Sequence, residues 1–137
     1  MNLIEIDLPE AEFVRLNSLF PPTVKSSNVG ERAVELVKLH FRSRHAGCAF
    51  TKNRDGYDLQ VKWDGGEEKI EIKGTADEKI AFGKLKVSGR RSYDLLLKGT
   101  PIYRVVSVYS RSLSMYVIRH GEDFEMNEEP RWTIKRT

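Results

Sequence analysis

The strongest constraint on the fold is the stretch GYDLQVKWDGGEEKIEIKGT at residues 56–75, which reads as one β-hairpin. Asp64-Gly65 is a two-residue turn signal, because a type I′ turn needs positive φ at both central positions and Asp-Gly adopts it at little cost. With those residues as the loop, Trp63 pairs with Gly66, Val61 with Glu68, Leu59 with Ile70 and Tyr57 with Ile72. The intervening pairs are Gln60 with Lys69 and Asp58 with Glu71. One face is then largely apolar and the other polar, as in a half-buried antiparallel pair. The same register sets two carboxylates opposite each other, which costs stability unless something cationic lies between them. Lys73 follows on the face of Glu71, since side chains alternate along a strand.

An Asp and a Glu on neighbouring strands form a hard-oxygen site suited to Mg²⁺, with Mn²⁺ able to substitute. A bound cation relieves the repulsion, and a neighbouring lysine can orient water or stabilise charge developing on a phosphate. Glu71-Ile72-Lys73 alone also looks like any solvated strand face. The facing acid, the turn that fixes the register and a Glu-bearing helix upstream strengthen the site reading.

That helix is expected over residues 29–44, where Val29, Ala33, Leu36, Val37 and Phe41 recur at helical spacing. Asn28 is its expected N-cap, with Glu31 completing a capping-box pattern. Before it, residues 3–8 alternate apolar and acidic as a short strand or arm, Pro9 opens a helix to about residue 19, and residues 20–27 connect. Residues 46–51 suggest a strand that makes the hairpin three-stranded. Residues 76–87 are read as loop. Ser88 is the expected N-cap of a second helix, which Gly99-Thr100-Pro101 stops. Residues 102–109 and 113–119 read as a second hairpin, and Trp132 and Ile134 as anchors for a charged tail.

The order of Glu31 in a helix, Gly-Tyr-Asp ending at Asp58, and Glu71-Ile72-Lys73-Gly74-Thr75 resembles the PD-(D/E)XK nuclease superfamily. The motif forms are most similar to Mrr-like members and NO VEIN C-terminal-type domains, and the resemblance covers about residues 28–119. Tyr57 stands where the family name has Pro. The resemblance implies an α/β fold, a restriction-endonuclease-like αβββαβ core with a mixed central sheet flanked by helices. Residues 28–137 would form this domain, and residues 1–27 an arm and short helix packed on it. It also implies Mg²⁺-dependent hydrolysis of DNA phosphodiester bonds. Asp58, Glu71 and Glu31 would hold metal and Lys73 would assist the attacking water. A Holliday-junction resolvase and a non-catalytic nucleic-acid-binding module are the alternatives, and a homodimer or a larger restriction, defence or repair assembly are the partner states it suggests.

Lys52, Arg54, Lys84, Lys86, Arg90 and Arg91 are candidates for phosphate contacts, although each also suits a solvated surface. At 137 residues, a net charge of +3 and pI near 9.0, the chain fits one mildly basic domain, which permits a nucleic-acid partner. The single Cys48 excludes an internal disulfide, no run has the length of a membrane span, and the N-terminus lacks the basic region of a signal peptide, so a cytoplasmic setting is expected. His40, His45, His120 and Cys48 lack a zinc-ligand spacing. Tyr103, Tyr109 and Tyr116 are expected to pack within strands.

Overall fold

The computed structural model describes all residues except 24, 53–55, 130, 131 and 133. The chain is mixed α/β. Six strands, β1 (Asn2–Asp7), β2 (Ala49–Lys52), β3 (Leu59–Trp63), β4 (Gly66–Gly74), β5 (Ile102–Val106) and β6 (Ser112–Ile118), form one sheet in the order β1-β6-β5-β4-β3-β2. Its helices are α1 (Glu10–Leu19), α2 (Ser26–Arg44) and α3 (Arg90–Leu97). Every strand pair is antiparallel except β4 with β5. That parallel step needs a crossover, which the loop after β4 and α3 provide. No helix of the described residues is long and apolar enough to cross a membrane.

The hairpin forms with the expected register from Trp63↔Gly66 to Leu59↔Ile70, and β2 adds the expected third strand. Leu59, Val61, Ile70 and Ile72 bury their side chains against Ala33, Leu36, Val37 and Phe41 of α2. Tyr103 and Val105 continue this layer on β5, while Ile102 faces the other way, into a smaller cluster with Leu96 of α3 and Ile118. Alternation along the strands therefore assigns α2 to one face of the sheet and α3 to the other.

Several local expectations are corrected. Of the two readings of the N-terminal segment, strand or arm, the strand is the one found: β1 is an edge strand paired with β6 through Asn2↔Val117 to Asp7↔Ser112. Asn28 does not cap α2, which begins earlier, at Ser26 after Lys25. The Asn28 amide instead donates to the Pro21 carbonyl at 2.6 Å and the Tyr109 hydroxyl at 3.1 Å, tying the helix to the preceding connector and the β5–β6 loop. Ser88 is not the cap of α3 either, because Gly89, at φ +94°, occupies that position. The stop after α3 is as expected: Gly99 takes φ +102° and Thr100 N–H closes back on the Leu95 carbonyl at 3.1 Å. Trp132 and Ile134 do not anchor the tail, being 96% and 100% exposed; Phe124 and Met126 pack against the α3-side cluster in their place.

At the end of β4, a Cβ on Gly74 would lie 2.7 Å from the Ala33 Cβ and 3.1 Å from the Val29 carbonyl oxygen. Both neighbours are rigid parts of a helix, so α2 sits closer to β4 than any side chain allows. Gly74→Ala is expected to cost about 1–3 kcal/mol by overpacking. Urea denaturation followed by circular dichroism checks this, and an unchanged midpoint would contradict the close approach.

Candidate metal and phosphate site

The site grows from the place where the β3–β4 ladder ends. Asp58 N–H donates to the Ile70 carbonyl at 3.0 Å, although Ile70 is already the partner of Leu59. Two residues of one strand set against one of the other make a bulge. Tyr57 stays buried but belongs to neither core cluster, and its ring centre lies 5.1 Å from the Lys69 ammonium on the polar face. The expected Tyr57–Ile72 pairing is thus replaced, and Asp58 is not the ladder partner of Glu71.

The acids nevertheless meet. Glu71 N–H points toward β5, donating to the Pro101 carbonyl at 3.0 Å, which leaves Ile72 N–H directed at β3. The Asp58 carboxylate fills the missing ladder position by accepting Ile72 N–H at 2.7 Å. From there it lies close enough to the Glu71 carboxyl for its charge to act on it. Burial first, and the charge of Asp58 second, push the Glu71 carboxyl up to about 7, while Lys73 pulls in the opposite direction. The Lys73 ammonium lies 3.7 Å from Glu71 Oε1. Glu71, at 8% exposure, is almost fully covered, whereas Asp58 is exposed. The pair is open to a ligand from the Asp58 side.

Two further residues support this patch. Gly56, at φ +95°, would place a Cβ 2.7–2.9 Å from backbone atoms of Arg91 and Ser92, so the first turn of α3 rests on the chain two residues before Asp58. Arg104 is the register partner of Lys73 and shares its face. Its buried guanidinium donates to the Ile80 carbonyl at 2.8 Å and the Gly74 carbonyl at 3.1 Å, fastening the loop after β4 beneath the site. Burial lowers its pKa, with Asp77 opposing. An arginine between Tyr103 and Val105 in an apolar strand was the available signal for this role.

The remaining candidates are spread out. Glu31 is exposed near the start of α2, and no described interaction joins it to Asp58, Glu71 or Lys73. The helix directs Val29 and Ala33 at Gly74, on the face of the sheet opposite Glu71. Among the described residues no three of His, Cys, Asp and Glu are grouped to hold an ion. The oxygen donors gathered here are therefore two carboxylates. No protein-family model matches the chain, and no match is found among curated proteins or solved structures.

Of the basic candidates, Lys84 pairs with Asp77 at 2.7 Å, Lys86 with Glu129 at 2.8 Å and Arg90 with Asp94 at 3.2 Å. Arg91 enters the site region through its backbone contact with Gly56. Lys52 is exposed at the end of β2, and Arg54 lies outside the described residues. His45 stacks on Trp63 with ring centroids 4.3 Å apart, His40 is edge-on to Phe41, and Cys48 packs against the main core. Tyr103 is buried in the core, Tyr116 packs against the α3-side cluster, and the Tyr109 hydroxyl donates to the Thr23 carbonyl at 3.0 Å.

Proposed function

We propose that the protein is a Mg²⁺-dependent nuclease of the PD-(D/E)XK type that hydrolyses DNA phosphodiester bonds. The observation that carries this reading is the convergence of Asp58, buried Glu71 and Lys73 at a strand end, with Glu71 pushed up to about 7. A buried carboxyl raised by burial and by a neighbouring acid exchanges its proton favourably for a divalent cation. Two carboxylates completed by water also suit Mg²⁺, which is reluctant to shed its hydration shell. The sequence of elements α2-β2-β3-β4-α3-β5, with its parallel β4–β5 step, supports the αβββαβ assignment.

Bound Mg²⁺ would supply charge neutralisation at the phosphate and an acidified water. The chain's own residues have separable roles. Asp58 and Glu71 would hold the cation. The Lys73 ammonium, fixed against Glu71, stabilises negative charge developing on the phosphate and orients the attacking water. Arg104 keeps the loop beyond Lys73 in place through the Gly74 and Ile80 carbonyls.

The test is incubation of supercoiled plasmid, linear duplex, single-stranded and four-way-junction DNA with Mg²⁺, Mn²⁺ or EDTA. Cleavage is expected with either metal and not with EDTA, and Lys73→Ala should lower its rate by at least about 100-fold. Metal-dependent cleavage at full rate in both Lys73→Ala and Asp58→Ala would sink the assignment. Binding without cleavage of any substrate would favour a non-catalytic module, and preference for the four-way junction a resolvase.

A further inference from the structure

Beside α3, on the sheet face that carries Glu71, a cleft of about 830 Å³ lies between the segment from Phe82 to Tyr93 and the segment from Phe124 to Glu129. Ile102, the register partner of Glu71, lines it, so one position of the β4–β5 pair connects the cleft with the acid pair, although neither acid lines it. Phe82, 46% exposed, and Tyr93 contribute rings, and the Arg90 guanidinium lies 5.5 Å from the centre of the Tyr93 ring. Lys86 and Arg90 supply cations on this side. The opposite wall belongs to the C-terminal segment, whose Phe124 and Met126 are packed in the α3-side cluster and whose Glu125, Glu128 and Glu129 are acidic. One of these acids, Glu129, holds Lys86 at 2.8 Å.

We infer that this cleft is the track for an unpaired nucleic-acid strand leading to the Asp58–Glu71 pair, and that the Glu128–Glu129 segment occupies its phosphate positions until the strand displaces it. The inference rests on the nuclease reading and extends it to the substrate class. The volume falls in the range of small-molecule pockets, the scale of a nucleotide or two. An exposed Phe82 ring and a half-buried Tyr93 ring flanked by Lys86 and Arg90 suit an unpaired strand, since bases offer π faces for stacking and phosphates bind cations. A half-exposed Lys–Glu pair is a weak contact, which a polyanion can replace.

The test is fluorescence anisotropy of the full chain with an oligothymidylate of about 16 nucleotides and with duplex DNA, in EDTA and over a salt series. Glu128→Gln/Glu129→Gln should tighten single-strand binding about three- to tenfold. Lys86→Ala/Arg90→Ala should weaken it at least about tenfold, with the salt slope falling by about 0.7 for each cation lost. Phe82→Ala should weaken it about fivefold or more while leaving duplex binding unchanged. Wild-type affinity in both Lys86→Ala/Arg90→Ala and Phe82→Ala, with metal-dependent cleavage intact, overturns the cleft assignment alone. A wild-type chain that neither binds nor cuts any DNA overturns the cleft and the nuclease reading together.

Discussion

Glu71→Gln is expected to have opposite effects on activity and on stability. The proposed cleavage should fall by at least about 1,000-fold, because a neutral amide removes one of the two carboxylates proposed to hold the cation. The metal-free protein should become more stable at alkaline pH. The sign follows from the proton balance. Below about pH 4.5 the carboxyl is protonated in both the folded and unfolded chain, and its ionisation affects neither. Between there and about 7 the unfolded chain has released the proton while the folded one keeps it, so stability falls as pH rises; above about 7 the loss is complete. At 1.36 kcal/mol for each pKa unit the cost is on the order of 3 kcal/mol, and the lost contact with Lys73 reduces the gain from Gln to about 1–3 kcal/mol. Urea midpoints between pH 4 and 9 in EDTA check this. Parallel curves for wild type and Glu71→Gln would show that Glu71 is not strained by its surroundings.

Arg32→Ala should be strongly destabilising, costing about 3–5 kcal/mol. Arg32 is 0% exposed yet has no carboxylate among its described partners. Its guanidinium donates to the Val108 carbonyl at 2.8 Å, the Asn17 side chain at 2.8 Å and the Phe20 carbonyl at 3.0 Å. The rings of Phe13 and Tyr109 lie 5.9 and 5.2 Å from it. One side chain thus ties α1, α2 and the β5–β6 loop together. Truncation leaves three acceptors without this donor, at about 1–3 kcal/mol for each one that water cannot reach, and opens a cavity as well. Against a typical total of about 5–15 kcal/mol, the loss is a large share of the stability. Denaturant unfolding of Arg32→Ala and of the volume-conserving Arg32→Met checks it. A loss below about 1 kcal/mol in both would mean that the buried network contributes little.

The contrast between these two residues shows what could be read from the sequence. The β3–β4 register was legible because Asp64-Gly65 constrains the turn and each apolar position out to Leu59 and Ile70 then agrees with it. Beyond that point local chemistry no longer decides. Tyr57 suits either face of a sheet, so nothing in Gly-Tyr-Asp announced the bulge, and Asp58 reached Glu71 by a route other than simple pairing. Arg32 sits beside the apolar stripe of α2 and looks like a solvated helix residue. Its acceptors come from Asn17, Phe20 and Val108, brought together only by tertiary packing. The caps failed for a related reason: Asn28 found partners at Pro21 and Tyr109 that outcompeted the helix end. Trp132 and Ile134 were expected to dock because they are apolar, while the position beside the α3-side cluster went to Phe124 and Met126, nearer β6 in the chain.

Asp58 is both a proposed ligand and the last rung of the ladder, since its Oδ2 accepts Ile72 N–H. A single backbone proton therefore senses this carboxylate directly. Drawing electron density from Asp58 toward a cation, or rotating it away, alters the bond that shields that proton. The amide of Ile72 is in effect an indicator built into the strand, from which hydrogen exchange or a chemical shift reads the occupancy of the site without substrate or turnover.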